Sequence, residues 1–244
     1  MTAEVAADSR AEREQPHAAW FFTGQITCPL CETTFRQVKI RDAALQPQSR
    51  ESDFHITYNG LDPSLYVIMV CPHCSFAAFH DEFDDLSDGE RRALREAADR
   101  EEHSDLTGER SLDDASAALK LALGCNELRG TNDRHRAGLF HRIAWIERQR
   151  GDAEAERHWL VEARDAYERA YEQDDTVTDA EAFRLSYLVG DLHLRLGDVE
   201  AGSQWLSNCV SMPGVEDQAL MMRMARDRLA DAREAVRGNA SPAA

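Results

Sequence analysis

Six cysteines stand in this chain, and four of them form two copies of one pattern, Cys28-Pro29-Leu30-Cys31 and Cys71-Pro72-His73-Cys74. A Cys-x-x-Cys turn presents two sulfurs to one metal, and two such turns supply the four soft ligands of a tetrahedral zinc ion. Cys28, Cys31, Cys71 and Cys74, spaced C-x2-C-x39-C-x2-C, are therefore expected to hold one Zn2+. Each knuckle proline lacks an amide donor and restricts its turn, which leaves neighbouring amides free to hydrogen-bond the thiolates. Four thiolates leave no coordination position for water, so the ion would be structural rather than catalytic.

Cys71-Pro72-His73-Cys74 can also be read as a thiol-disulfide oxidoreductase motif, in which a low thiol pKa makes the first cysteine reactive. That reading needs a βαβ pattern, which is not evident, and leaves Cys28 and Cys31 unexplained. His73 and His80 lie near the second knuckle and could second a ligand; a solvent-facing or supporting role is the simpler expectation. Cys125 and Cys209 stand alone in helical patterns and read as small buried hydrophobes. His135, His141, His158 and His193 are scattered without a His-Glu-x-x-His spacing, and no Gly-rich phosphate loop, Ser-centred elbow or paired-carboxylate motif is present. No catalytic residues are assigned, and the chain is expected not to be an enzyme.

The elements that must carry the cysteines read as β. Trp20 to Thr27 is β-prone and runs into the first knuckle, and Phe35 to Ile40 alternates as a strand leaving it, as in a zinc ribbon's first hairpin. Residues 41–57 are polar and read as a loop or insertion, with a short strand expected over Asp53 to Tyr58. Asn59-Gly60-Leu61-Asp62-Pro63 is a turn, and Tyr66 to Val70 is the best strand in the chain, ending on Cys71. Phe76, Phe79 and Phe83 follow and could cover the site. The acidic run from Asp81 to Asp85 reads as a solvated approach to a helix whose capping box is Ser87-Asp88-Gly89-Glu90.

Beyond that point the periodicity is helical, over about 89–103, 111–128, 133–150, 153–173, 178–196, 199–211 and 215–237, punctuated by Gly108, Gly130, Gly151, Gly197 and Pro213-Gly214. Gln149-Arg150-Gly151-Asp152-Ala153-Glu154-Ala155 resembles Arg195-Leu196-Gly197-Asp198-Val199-Glu200-Ala201, each followed by Trp-Leu, and a helix, Gly-Asp turn, helix unit suggests TPR-like packing. Gly190 and Gly202 would let two helices approach closely. The expected organisation is a disordered lead over 1–18, a zinc ribbon over 19–86, a TPR-like antiparallel helical domain over 87–238 and a disordered tail over 239–244. The fold class is α+β, mostly α.

The formal charge, with 28 basic against 45 acidic residues, is −17, which repels phosphate backbones and makes nucleic acid a poor partner. One basic segment breaks this pattern, and Arg134, Arg136, Arg142 and Arg148 are the candidates for docking an acidic partner or a C-terminal carboxylate in a groove between the 133–150 and 178–196 helices. The alternative is pairing with the acidic helix 153–173. The polar N-terminus shows no secretory pattern and no apolar run approaches a membrane span, so a cytoplasmic, reducing location is expected.

These residues are similar to those of a bacterial family of uncharacterised proteins, the DUF2225 family. The resemblance rests on Cys28-Pro29-Leu30-Cys31 with Phe35, on Tyr58-Asn59, Asp62-Pro63 and Tyr66, and on Val70 to Cys74 with Phe76-Ala77 and Phe83. It implies a double Cys-Pro-x-Cys head followed by a helical, TPR-like tail, with no established activity. Ser75 stands where the resemblance leads one to expect glycine. The functional expectation is a non-enzymatic adaptor that meets another protein, with a zinc-ribbon nucleic-acid regulator and a Cys71/Cys74 oxidoreductase as alternatives.

Overall fold

The computed structural model describes residues 19–98, 105–213 and 218–240. The leads expected to be disordered, 1–18 and most of 239–244, lie outside them. The described chain is α+β and mostly helical, and it divides into two compact units. Unit 1 takes residues up to Ser49 and then Ile56–Thr131; unit 2 takes Arg50–His55 and the chain from Asn132 onward. Residue 86, where the sequence placed the end of the ribbon, lies inside unit 1.

Unit 1 is built on short antiparallel pairs. Strand β1 (Phe21–Thr27) pairs with β2 (Thr34–Ile40), from Phe21 opposite Ile40 to Thr27 opposite Thr34. Strand β3 (Pro47–Arg50) pairs with β4 (Ile56–Tyr58). Strand β5 (Ile68–Val70) pairs with β6 (Ala77–Phe79), from Ile68 opposite Phe79 to Val70 opposite Ala77. Helices α1 (Asp88–Ala98) and α2 (Leu112–Arg129) complete the unit.

Two strand expectations are corrected. The strand expected from Tyr66 begins only at Ile68, because Pro63–Tyr66 forms a 3-10 turn: Asp62 accepts from the Ser64 amide at 2.8 Å, and Pro63 suits its first position. Buried Arg110 reinforces the turn by donating to the carbonyls of Leu65 at 3.2 Å, Ile68 at 2.7 Å and Leu106. The strand expected over Asp53 to Tyr58 is confined to Ile56–Tyr58, and the loop expected over 41–57 contains β3. Residues 51–55 turn instead, with the Glu51 amide donating to the His55 carbonyl at 2.7 Å and Phe54 at φ 69°.

The α1 cap is formed as expected, with the Glu90 amide donating to Ser87 and Glu90 accepting from Ser87 in return. In unit 2, α3 (Asp133–Arg150) and α4 (Ala153–Gln173) join through Gly151-Asp152, and α5 (Asp179–Leu196) and α6 (Val199–Val210) through Gly197-Asp198. Both glycines are left-handed, φ 77° and 90°, and each following aspartate caps the next helix by accepting from the amide of Ala155 or Ala201. Helix α7 (Ala219–Ala240) follows. Gly190 and Gly202 mark the close approach of α5 to α6: a Cβ at Gly190 would lie 2.8 Å from Leu206, and one at Gly202 2.6 Å from Leu194. The core of this unit includes Phe140, Ile143, Leu160, Phe183, Leu192 and Leu206.

Candidate metal centre

Each Cys-Pro-x-Cys segment occupies the turn of a hairpin, the first between β1 and β2 and the second between β5 and β6. The two turns are copies in hydrogen bonding as well as in sequence. The Cys28 amide donates to the Thr33 carbonyl at 3.0 Å and the Glu32 amide to the Cys28 carbonyl at 2.9 Å; the Cys71 amide donates to Phe76 at 2.9 Å and Ser75 to Cys71 at 3.0 Å. Closing the turn requires a left-handed residue just after the second cysteine, and Glu32 and Ser75 adopt it at φ 61° and 56°. Ser75 thus takes the conformation that glycine would adopt most freely.

The four sulfurs converge. All lie within 4.8 Å of one another, Cys28 Sγ is 3.7 Å from Cys74 Sγ, and Cys31 Sγ is 3.7 Å from Cys71 Sγ. A disulfide would bring sulfurs to about 2.05 Å, whereas a tetrahedral ion with metal–sulfur bonds of about 2.3 Å sets its ligands about 3.8 Å apart. The short contacts run between the knuckles, and no cysteine is in a disulfide. The donor set fits a thiophilic divalent ion.

Cys28 and Cys71 are fully buried, and Cys31 and Cys74 half-buried. Phe35, Phe76, Phe83, Leu30, Met69, Leu86 and Leu94 form the apolar shell around them, so Phe76 and Phe83 cover the site as the sequence suggested. Backbone amides face the sulfurs. Leu30 donates to Cys28 Sγ at 3.4 Å and Cys31 also points there, His73 and Cys74 point at Cys71, and Phe76 at Cys74. Without an ion, Cys28, Cys71 and Cys74 compete for protons. Hydrogen bonding with Cys71 pushes Cys28 up to about 12, that with Cys28 raises Cys74, and that with Cys28 pulls Cys71 down to about 2. A divalent ion removes this competition by binding every sulfur as thiolate.

His73 and His80 are exposed and lie outside the sulfur cluster. Cys209 is buried, and half-buried Cys125 packs against the apolar shell, with the Ala77 amide donating to its sulfur at 3.4 Å.

The arginines named as partner contacts meet residues of this chain. Arg134 pairs with Glu181 at 2.5 Å, Arg136 lies 3.6 Å from Asp133, and Arg142 donates to the Gly138 carbonyl and stacks on Trp145. Arg148 pairs with Glu156 of α4 at 2.7 Å, as the intramolecular alternative anticipated, and also with Glu51 at 2.7 Å and Asp53 at 2.8 Å. The groove assigned to a partner is occupied by this chain's own residues 51–55. Tyr187 donates to the Ser52 carbonyl at 2.7 Å and its ring lies 5.2 Å from Phe54; His55 stacks on Trp145. Asp53 is fully buried and accepts from Trp145 Nε1 at 3.1 Å, with His141 at 3.4 Å and Arg195 at 3.4 Å. Burial alone would raise its carboxyl, but His141, then Arg148 and Arg195, hold it well below the usual carboxylate range. The histidine spacing gave no hint of these carboxylates, nor of Glu168, 2.6 Å from His193: Asp53 is 88 residues from His141 in sequence, beyond the reach of any local pattern.

Fold and site together define a mostly helical α+β protein with a paired-knuckle, four-cysteine cluster able to hold a metal ion. The chain belongs to the family described as "Uncharacterized protein conserved in bacteria (DUF2225)", whose model matches residues 21–232. Comparison with curated proteins and with solved structures found no match. Among the described residues, no helix is long and apolar enough to cross a membrane.

Proposed function

We propose that this chain is a non-enzymatic scaffold for another protein, organised by one structural Zn2+ on Cys28, Cys31, Cys71 and Cys74 and working in a reducing, cytoplasmic setting. The observation that carries the zinc reading is the sulfur geometry, four thiols from two matching turns at tetrahedral-edge spacing within an apolar shell. A closed tetrathiolate has no vacant position for substrate or water and therefore acts through folding. Support for the scaffold reading comes from the two Gly-Asp helix pairs, a TPR-like arrangement. With residues 51–55 in the groove, the partner would meet another face of the helices.

The test is metal content and thiol accessibility on protein purified without added zinc. About one zinc per chain, four thiols shielded until a chelator is added, and no reduction of insulin disulfides are expected. A metal-free protein with a Cys71–Cys74 disulfide and a disulfide-reductase activity lost in Cys71→Ser would replace this reading with the oxidoreductase one.

A further inference from the structure

Two arginines of α1 reach the first knuckle. Arg91 Nη1 donates to the Pro29 carbonyl, and Arg95 donates to the Leu30 carbonyl from Nε at 3.1 Å and Nη2 at 2.9 Å. Leu94, between them, is buried in the apolar shell and fixes the helix there. The carbonyl of Pro29 and the amide of Leu30 belong to one peptide group, and that amide donates to Cys28 Sγ. The carbonyl of Leu30 and the amide of Cys31 belong to the next, and that amide points at the same sulfur. Each guanidinium thus sits on the oxygen of a peptide group whose N–H faces the Cys28 sulfur.

The second knuckle has the same amides, from His73 and Cys74 towards Cys71. Among the described residues no side chain donates to the carbonyls of Pro72 or His73. The two halves of the site match in backbone and differ in charge.

We propose that Arg91 and Arg95 are positioning residues for the metal, acting through these two peptide groups to strengthen the N–H···S bonds at Cys28. A cation on the carbonyl polarises the peptide, its N–H becomes a stronger donor, and chained hydrogen bonds reinforce one another. Four thiolates on one divalent ion carry a net charge of −2, which such donors stabilise. This inference rests on the four cysteines binding metal. It adds that the Cys28 side is the more strongly supported half.

The full chain is compared with Arg91→Ala, the double variant Arg91→Ala/Arg95→Ala, Arg91→Lys and, as a control on the same helix, Arg92→Ala. Zinc affinity is measured by chelator competition, and the Co2+-substituted protein is read at its sulfur-to-cobalt charge-transfer band. The double variant is expected to bind zinc roughly 10–100-fold more weakly, the usual cost of losing outer support of a metal ligand. Its band should move to lower energy, because a thiolate with weaker donors gives up an electron more easily. Arg91→Lys should restore part of both relative to Arg91→Ala, and Arg92→Ala should change neither. Unchanged affinity in the double variant overturns the proposal, and so does weakened affinity with an unmoved band, which would make the arginines mere helix anchors. A wild-type chain that binds neither ion overturns the zinc reading itself and this inference with it.

Discussion

Asp53 has Arg148, Arg195 and His141 all within 3.4 Å of it and no exposure of its own. Removing one partner from a buried charge set leaves the others uncompensated, a loss of about 3–5 kcal/mol. Asp53→Ala is therefore expected to lower the stability of unit 2 by that amount, measured by urea unfolding followed through Trp145 fluorescence. The same site sets a pH dependence. Asp53 has a folded pKa below its unfolded value of about 3.9, so its contribution is present above that value and lost as pH falls through the folded pKa. Burial, the largest influence on His141, lowers its pKa from about 6.5, so on acidification the unfolded chain takes up this proton first. The urea midpoint should be level above about pH 7, decline below about pH 6.5 and fall more steeply below about pH 4. His141→Gln should flatten the upper limb; a midpoint rising on acidification would refute the assignment.

Helices and knuckles differ in what sequence reveals about them. Helices α3 and α4 fall on the residues read from periodicity, because Gly151-Asp152 carries both the stop signal of one and the cap of the next. The knuckles are equally legible, since a local Cys-Pro-x-Cys turn and its left-handed closing residue are fixed within six residues. Asp53 to His55 fall in the segment expected as a short strand, yet they turn. What decides their conformation is Arg148, Arg195 and Tyr187, far along the chain. Gly190 and Gly202 give a test at this scale. Gly190→Ala and Gly202→Ala should each cost about 1–3 kcal/mol by forcing α5 and α6 apart. Gly124→Ala, in open space within α2, should instead stabilise by about 0.5–1 kcal/mol. Thermal unfolding of the three variants distinguishes these signs.

On the scale of the molecule, the four-cysteine cluster lies in unit 1, while unit 2 has its own core and capped helices. Chelation is expected to remove hydrogen-exchange protection from β1, β2, β5, β6 and α1 while α3–α6 keep theirs; equal loss in both units would contradict this. Cys28→Ser should reproduce the chelated pattern without a chelator.

Residues 51–55 belong with the helices of unit 2 but are encoded between two strands of unit 1. During synthesis Asp53 emerges 195 − 53 = 142 residues before Arg195, its partner at 3.4 Å, a delay of roughly 7–28 s at about 5–20 residues per second. Until then its carboxylate stays hydrated, and the knuckles on either side of it can come together while the helices of unit 2 have yet to be made. The nascent chain therefore completes its four-cysteine part first and threads its acidic turn into place last.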